Sequence, residues 1–71
     1  MIRNFTESSV IKSVGFDSRS KTLEIEFHHE EAVWQYMAFP KDLFADFLTA
    51  SSKGNFFVTR IKGNFSEQRI R

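Results

Sequence analysis

The stretch Thr22-Leu23-Glu24-Ile25-Glu26-Phe27-His28, followed after a short turn by Val33-Trp34-Gln35-Tyr36-Met37-Ala38-Phe39-Pro40, decides how this chain folds. Leu23, Ile25 and Phe27 alternate with Glu24, Glu26 and His28, the period of a strand with one face in a core and one in water. His28 to Glu31 read as a turn. If Phe27 pairs with Ala32, antiparallel register sets Ile25 opposite Trp34 and Leu23 opposite Tyr36, and opposed residues share a face. Working back towards the N-terminus, Asp17-Ser18-Arg19-Ser20 has turn chemistry. It joins a strand over Val10 to Phe16 in which Phe16 meets Leu23 and Val14 meets Ile25. One sheet face therefore gathers Val14, Phe16, Leu23, Ile25, Phe27, Trp34 and Tyr36. The same alternation assigns Val33, Met37 and Phe39 to the opposite face, beside Glu24, Glu26 and Gln35.

Pro40 ends the strand and suits a helix start, with Asp42 at the positive end of the dipole. Leu43, Phe44, Phe47 and Leu48 make an apolar stripe that lies on the sheet. Ser51 or Ser52 caps a second helix that carries Phe57 and Ile61 and stops at Gly63, with a strand over Phe56 to Ile61 as the alternative. An extended tail follows. The expectation is an α+β fold: a three-stranded antiparallel β-meander followed by one or two helices packed on one sheet face. Residues 1–8 read as a flexible arm and residues 9–71 as one domain.

Seventy-one residues hold a single core, and nine Phe make it dense without needing polar partners. The absence of cysteine excludes disulfides, thiolate metal sites and a Cys nucleophile, and with no apolar leader or membrane span it gives a cytoplasmic expectation. His28 and His29 with Glu30 and Glu31 are too close in sequence to converge on a metal, so a solvated turn is the preferred reading and no metal or cofactor is expected. No Gly-x-Ser-x-Gly elbow or supported Ser-x-x-Lys pair appears, and Glu24 with Glu26 reads as a solvated strand face. The expectation is a protein that is not an enzyme.

Charge is distributed unevenly. Residues 21–46 carry Glu24, Glu26, Glu30, Glu31, Asp42 and Asp46 against Lys21 and Lys41, whereas residues 53–71 carry Lys53, Arg60, Lys62, Arg69 and Arg71 against Glu67 alone. The basic end either contacts phosphate or is neutralised by the acidic half. Ser52-Lys53-Gly54-Asn55 suits an anion at a helix start, or Gly54 admits a close backbone neighbour. Trp34 and Tyr36 either stack on bases or belong to the core, and their register favours core.

Ser9 to Asp17, Leu23-Glu24-Ile25-Glu26-Phe27, Trp34-Gln35-Tyr36, Phe39-Pro40, Ser52-Lys53-Gly54, Phe56-Phe57, Ile61 and Gly63 together resemble the KTSC family, which takes its name from the C-terminus of some lysyl-tRNA synthetases. The resemblance runs from about Ser8 to Ile70. Trp34 stands where the family's Tyr-x-Tyr has its first Tyr, and Ala38 stands where related sequences often have Gly. The resemblance implies a small free-standing bacterial or phage domain of unknown activity, and the synthetase link suggests RNA of tRNA type as partner. The functional expectation is a non-catalytic RNA-binding domain using Trp34, Tyr36, Lys53, Gly54, Arg60, Lys62, Arg69 and Arg71. The alternative is a protein-interaction or homodimerisation module that uses the second sheet face.

Overall fold

The computed structural model describes residues 3–71. Five antiparallel strands lie side by side in chain order: β1 (Arg3–Phe5), β2 (Ile11–Asp17), β3 (Thr22–Phe27), β4 (Val33–Tyr36) and β5 (Glu67–Arg69). Helix α1 (Lys41–Thr49) and helix α2 (Lys53–Phe56), which continues into a π-helical turn (Phe57–Ile61), lie between β4 and β5 in sequence. The core is formed by Ile11, Val14, Leu23, Ile25 and Tyr36 from the sheet with Phe39, Phe47, Phe57 and Ile61 from the connecting chain.

The three central strands have the register that the hydrophobic alternation predicts. Phe16 faces Leu23, Val14 faces Ile25, Ile25 faces Trp34 and Leu23 faces Tyr36. Phe27 N donates to Ala32 O at 2.8 Å, closing the second hairpin. The second apolar helix segment is helical rather than a strand. Ser52 Oγ accepts from Asn55 N at 3.2 Å as its cap, and Gly63 ends it with φ of 80°.

The meander is extended at both ends. Arg3–Phe5, expected in a loose arm, pair with Gly15, Val14 and Ser13 as β1, while Met1 and Ile2 lie outside the described residues. The following loop is fastened to β2: Thr6 Oγ1 donates to Ile11 O, and Ser8 Oγ accepts from Val10 N and Ile11 N at 3.0 and 3.1 Å. A bulge between Ile11 and Ser13 then moves the inward position by one residue, so Ile11 is buried and Val10 is half exposed. The tail expected after Gly63 instead returns along β4 as β5, with Tyr36 opposite Glu67 and Trp34 opposite Arg69.

Phe39 does not continue the alternation of β4. Ala38 has φ of 52°, which swings the chain out of the sheet, and Phe39 N donates to Lys21 O at 2.9 Å. The Phe39 ring then enters the core, edge-on to Phe16 with centroids at 6.4 Å and tilted on Phe65 at 4.7 Å. An L-residue with a Cβ is held in the left-handed region at a cost of about 1–2 kcal/mol. Ala38→Gly removes that cost and adds back a smaller unfolded-state entropy, for a net stabilisation of about 0.5–1 kcal/mol. Thermal unfolding should register this as a rise in Tm of about 3–6 °C.

Candidate functional site

The helices leave a groove uncovered at the β4–β5 end of the sheet. Its apolar lining comes from Phe27, Trp34 and Tyr36 on the strands, Phe57 on the helix, and Val10 with Ala32 at one end, and it encloses about 550 Å³. His29, Glu30, Lys62, Glu67 and Arg69 stand around its rim. Phe57 organises the lining, with its ring edge-on to Phe27 at 5.2 Å and to Tyr36 at 5.8 Å. The π-helical turn delivers it there. Lys62 N donates to Phe57 O at 2.8 Å, five residues back, and the widened turn buries both Phe57 and Ile61 while Lys62 leaves at the rim.

The two aromatic residues of β4 divide their roles. Tyr36 is buried, and burial together with the Glu67 carboxylate beside it pushes its phenol well above the usual range, so it stays neutral. Trp34 is only partly buried, and among the described residues its indole N–H has no hydrogen-bond acceptor. A ring with one face on a core and a free donor at its edge suits a flat ligand with acceptors. Arg69, directly across the strand pair from Trp34, donates from Nε to Arg71 O at 3.0 Å and lies 3.9 Å from Glu30 Oε1 through Nη1.

The remaining residues anticipated for the site lie elsewhere. Lys53 Nζ donates to Ala50 O at 3.3 Å behind the C-terminus of α1. Gly54 lies beside the Val10 side chain, where an added Cβ would stand 3.4 Å from Val10 Cγ2, an ordinary contact with a side chain; no backbone neighbour approaches closely, so nothing there requires a glycine. The Arg60 guanidinium lies over the Phe56 ring at 5.3 Å. Arg71 crosses to the other side of the sheet, where Nη2 donates to Glu26 Oε2 at 2.8 Å. The five C-terminal cations therefore do not form one patch, and only Lys62 and Arg69 meet the aromatic groove.

The opposite sheet face is mixed: Phe39 has left it for the core, whereas Val33 is buried there opposite Glu26 and the half-buried Met37 has its sulfur 3.9 Å from Thr22 Oγ1. Glu26 is its centre: buried, accepting from Ser13 Oγ at 2.9 Å and from Arg71, with Arg3 Nη1 at 4.0 Å. Glu24 accepts from Gln35 Nε2 at 3.1 Å and pairs with Arg3 Nε at 3.4 Å. Burial opposes ionisation of Glu26, but the Ser13 hydroxyl and the Lys12, Arg3 and Arg71 charges outweigh it and hold the carboxyl below its ordinary 4.5. The folded chain then binds this proton less tightly than the unfolded one. The stabilisation is whole above pH 4.5 and is lost as pH falls through the lower folded-state value. Urea midpoints measured from pH 7 to pH 3 should drop in that acid window, and the drop should be smaller in Glu26→Gln.

His28 Nε2 lies 3.1 Å from Ser8 O and His29 Nε2 lies 3.5 Å from Glu30 Oε1, so the two rings point to different partners. Among the described residues no three His, Asp or Glu side chains cluster as a metal site, and no helix is long and apolar enough to cross a membrane. A second cavity of about 640 Å³ lies between the segment from Asn4 in β1 to Ser9 and Ser51–Lys53. Its lining is mainly polar, with Thr6, Ser8, Ser51 and Ser52 among it, and neither Trp34 nor Tyr36 lines it.

Signals for the groove were uneven along the chain. Trp34, Tyr36, Lys62 and Arg69 stood out as aromatic or basic residues. Glu67 did not, because one carboxylate in a polar tail carries no pattern until β5 places it beside Tyr36.

Comparison with known proteins agrees with this architecture. The family model described as the KTSC domain matches residues 7–65. The crystal structure of a KTSC domain protein from Yersinia pestis superposes with a TM-score of 0.94 at 38% identity, covering 99% of this chain and 97% of that one. A lysine–tRNA ligase from Nostoc punctiforme is 36% identical over 64 residues, which are 90% of this chain and 11% of the ligase. The chain thus spans about a tenth of that curated relative's length.

Proposed function

Because the chain belongs to the KTSC domain family, whose model covers most of it, we propose that it is a non-catalytic RNA-binding domain that takes an unpaired base into the β4–β5 groove. The observation that carries this reading is the partly exposed Trp34 ring in a groove that Lys62 and Arg69 also line, with no acceptor for its indole N–H among the described residues. An unstacked base offers a π-face to the indole and acceptors to its N–H, while the flanking phosphates meet the two cations. A duplex offers none of its base faces, so it is a poor ligand. Similarity to a segment of a lysine–tRNA ligase supports an RNA of tRNA type as the ligand. The rival reading, a protein-interaction module on the second sheet face, is weakened by the burial of Phe39 and the polar ladder there.

Trp34 is the only tryptophan, so its fluorescence reports directly on the groove. Titration with tRNA, a single-stranded RNA and a blunt RNA duplex should quench it with the first two and not with the third. Two groove cations give a slope of log K against log salt of about −1.4, whereas a patch of five would give about −3.5. Absence of quenching or anisotropy change with either single-stranded or transfer RNA at low salt rejects the reading.

A further inference from the structure

Strand β5 is an edge of the sheet, and among the described residues no strand pairs with its outer side. Met37 N donates to Ser66 O at 2.9 Å and Ile70 N donates to Val33 O at 2.8 Å, so residues 66, 68 and 70 turn their backbone groups towards β4. The antiparallel alternation then turns the N–H and C=O of Glu67 and Arg69 outward. The side chains of these two residues, opposite Tyr36 and Trp34, stand on the groove face, and the whole strand is exposed.

Free edges are ordinarily protected by like charges, proline or a bulge. Here the two edge charges are opposite in sign and two residues apart, which makes the strand complementary to itself. Rotated about a dyad through Gln68, Glu67 falls opposite Arg69 of a second copy, and Arg69 falls opposite its Glu67. These are the same residues whose backbone groups point outward, so one register satisfies four N–H···O bonds and two Glu–Arg pairs together. The neighbouring registers set Glu67 against Glu67 or Arg69 against Arg69, and like charges directly opposite are destabilising. The other edge lacks this property: self-pairing of β1 sets Arg3 opposite Phe5.

We propose that the domain forms a homodimer through antiparallel pairing of β5 with β5 of a second copy, giving a continuous ten-stranded sheet. A dyad perpendicular to the sheet keeps both helical layers on one side, so the two grooves adjoin. Each groove then gains a residue from the partner copy, in the row Trp34, Arg69, partner Glu67, partner Tyr36. Glu67, the rim carboxylate beside Tyr36, is neutralised by the partner copy's Arg69. A three-residue strand pair buries less than a standard interface, so the dimer exchanges readily, with a dissociation constant on the order of 10–100 µM. The assembly does not depend on the RNA reading and is measured without RNA.

Sedimentation equilibrium of the full chain from about 5 µM to about 1 mM brackets that range. Wild type should move from monomer to dimer. Glu67→Lys and Arg69→Glu should each weaken dimerisation at least about tenfold, since each puts like charges opposite, and the double variant E67K/R69E should return to within a few-fold of wild type. Far-UV circular dichroism establishes that each variant is folded. A wild type that stays monomeric throughout, single variants that dimerise as well as wild type, or a double variant that does not recover would each overturn the proposal.

Discussion

Phe39→Ala is expected to leave the domain on the edge of unfolding. The Phe39 ring is completely buried, between Phe16 and Phe65, and removing such a ring costs about 3–5 kcal/mol in lost burial and residual cavity. A chain of this length has about 4–10 kcal/mol in total. Urea denaturation followed by circular dichroism should show a midpoint lowered by half or more, while Phe39→Leu, which keeps most of the apolar volume, should lose clearly less. A loss below about 1 kcal/mol for Phe39→Ala is the range of surface substitutions. It would return Phe39 to the solvent face of the sheet, where strict alternation along β4 places it.

The second large effect concerns the groove. Trp34→Leu should weaken binding of a labelled single-stranded RNA by about 10–100-fold in fluorescence anisotropy, the worth of one base stacked on an aromatic ring. Leucine keeps apolar volume at a partly buried position, so the variant should remain folded, and Trp34→Phe should retain most of the affinity. Arg71→Ala supplies the contrast. Its guanidinium is engaged with Glu26 on the opposite face, so its removal should change RNA affinity little while lowering stability. If Arg71→Ala harms binding and Trp34→Leu does not, the basic segment is the ligand surface and the groove is not.

What could be read from sequence and what could not follow the strength of local patterns. Leu23, Ile25 and Phe27 fixed a face, the two short turns fixed the pairings on either side, and the register of β2, β3 and β4 followed. The alternation misled at Phe39 because it assumes an unbroken strand, and a single left-handed residue, Ala38, reverses the side on which the next ring lands. Strands β1 and β5 escaped notice for another reason. Arg3-Asn4-Phe5 and Glu67-Gln68-Arg69 bury little, so they are strands by virtue of the edges they pair with and not by composition. The groove was half visible, since Trp34 and Tyr36 announce themselves as an aromatic pair. Its second wall depends on β5, and the basic segment was read as one surface because neighbouring cations in sequence were treated as neighbours in space. The fold sends Arg60 onto Phe56, Arg71 through the sheet edge to Glu26, and only Lys62 and Arg69 to Trp34.

The order of the strands has a kinetic consequence. Every pairing from β1 to β4 closes over a short connection, such as Ser18–Lys21, whereas β4 meets β5 only after both helices and the π-helical turn have intervened. Loop closure across that distance carries the largest entropy cost in the sheet, and the strand that returns is three exposed residues long. The expected order is therefore hairpins early and β5 late, with native-state opening in reverse. In hydrogen exchange the amide of Met37, bonded to Ser66, should exchange by local opening well before the amides that join β2 to β3. The β5 side of the groove that holds Trp34 is thus expected to open before the rest, and ligand binding there should slow exchange at β5 above all.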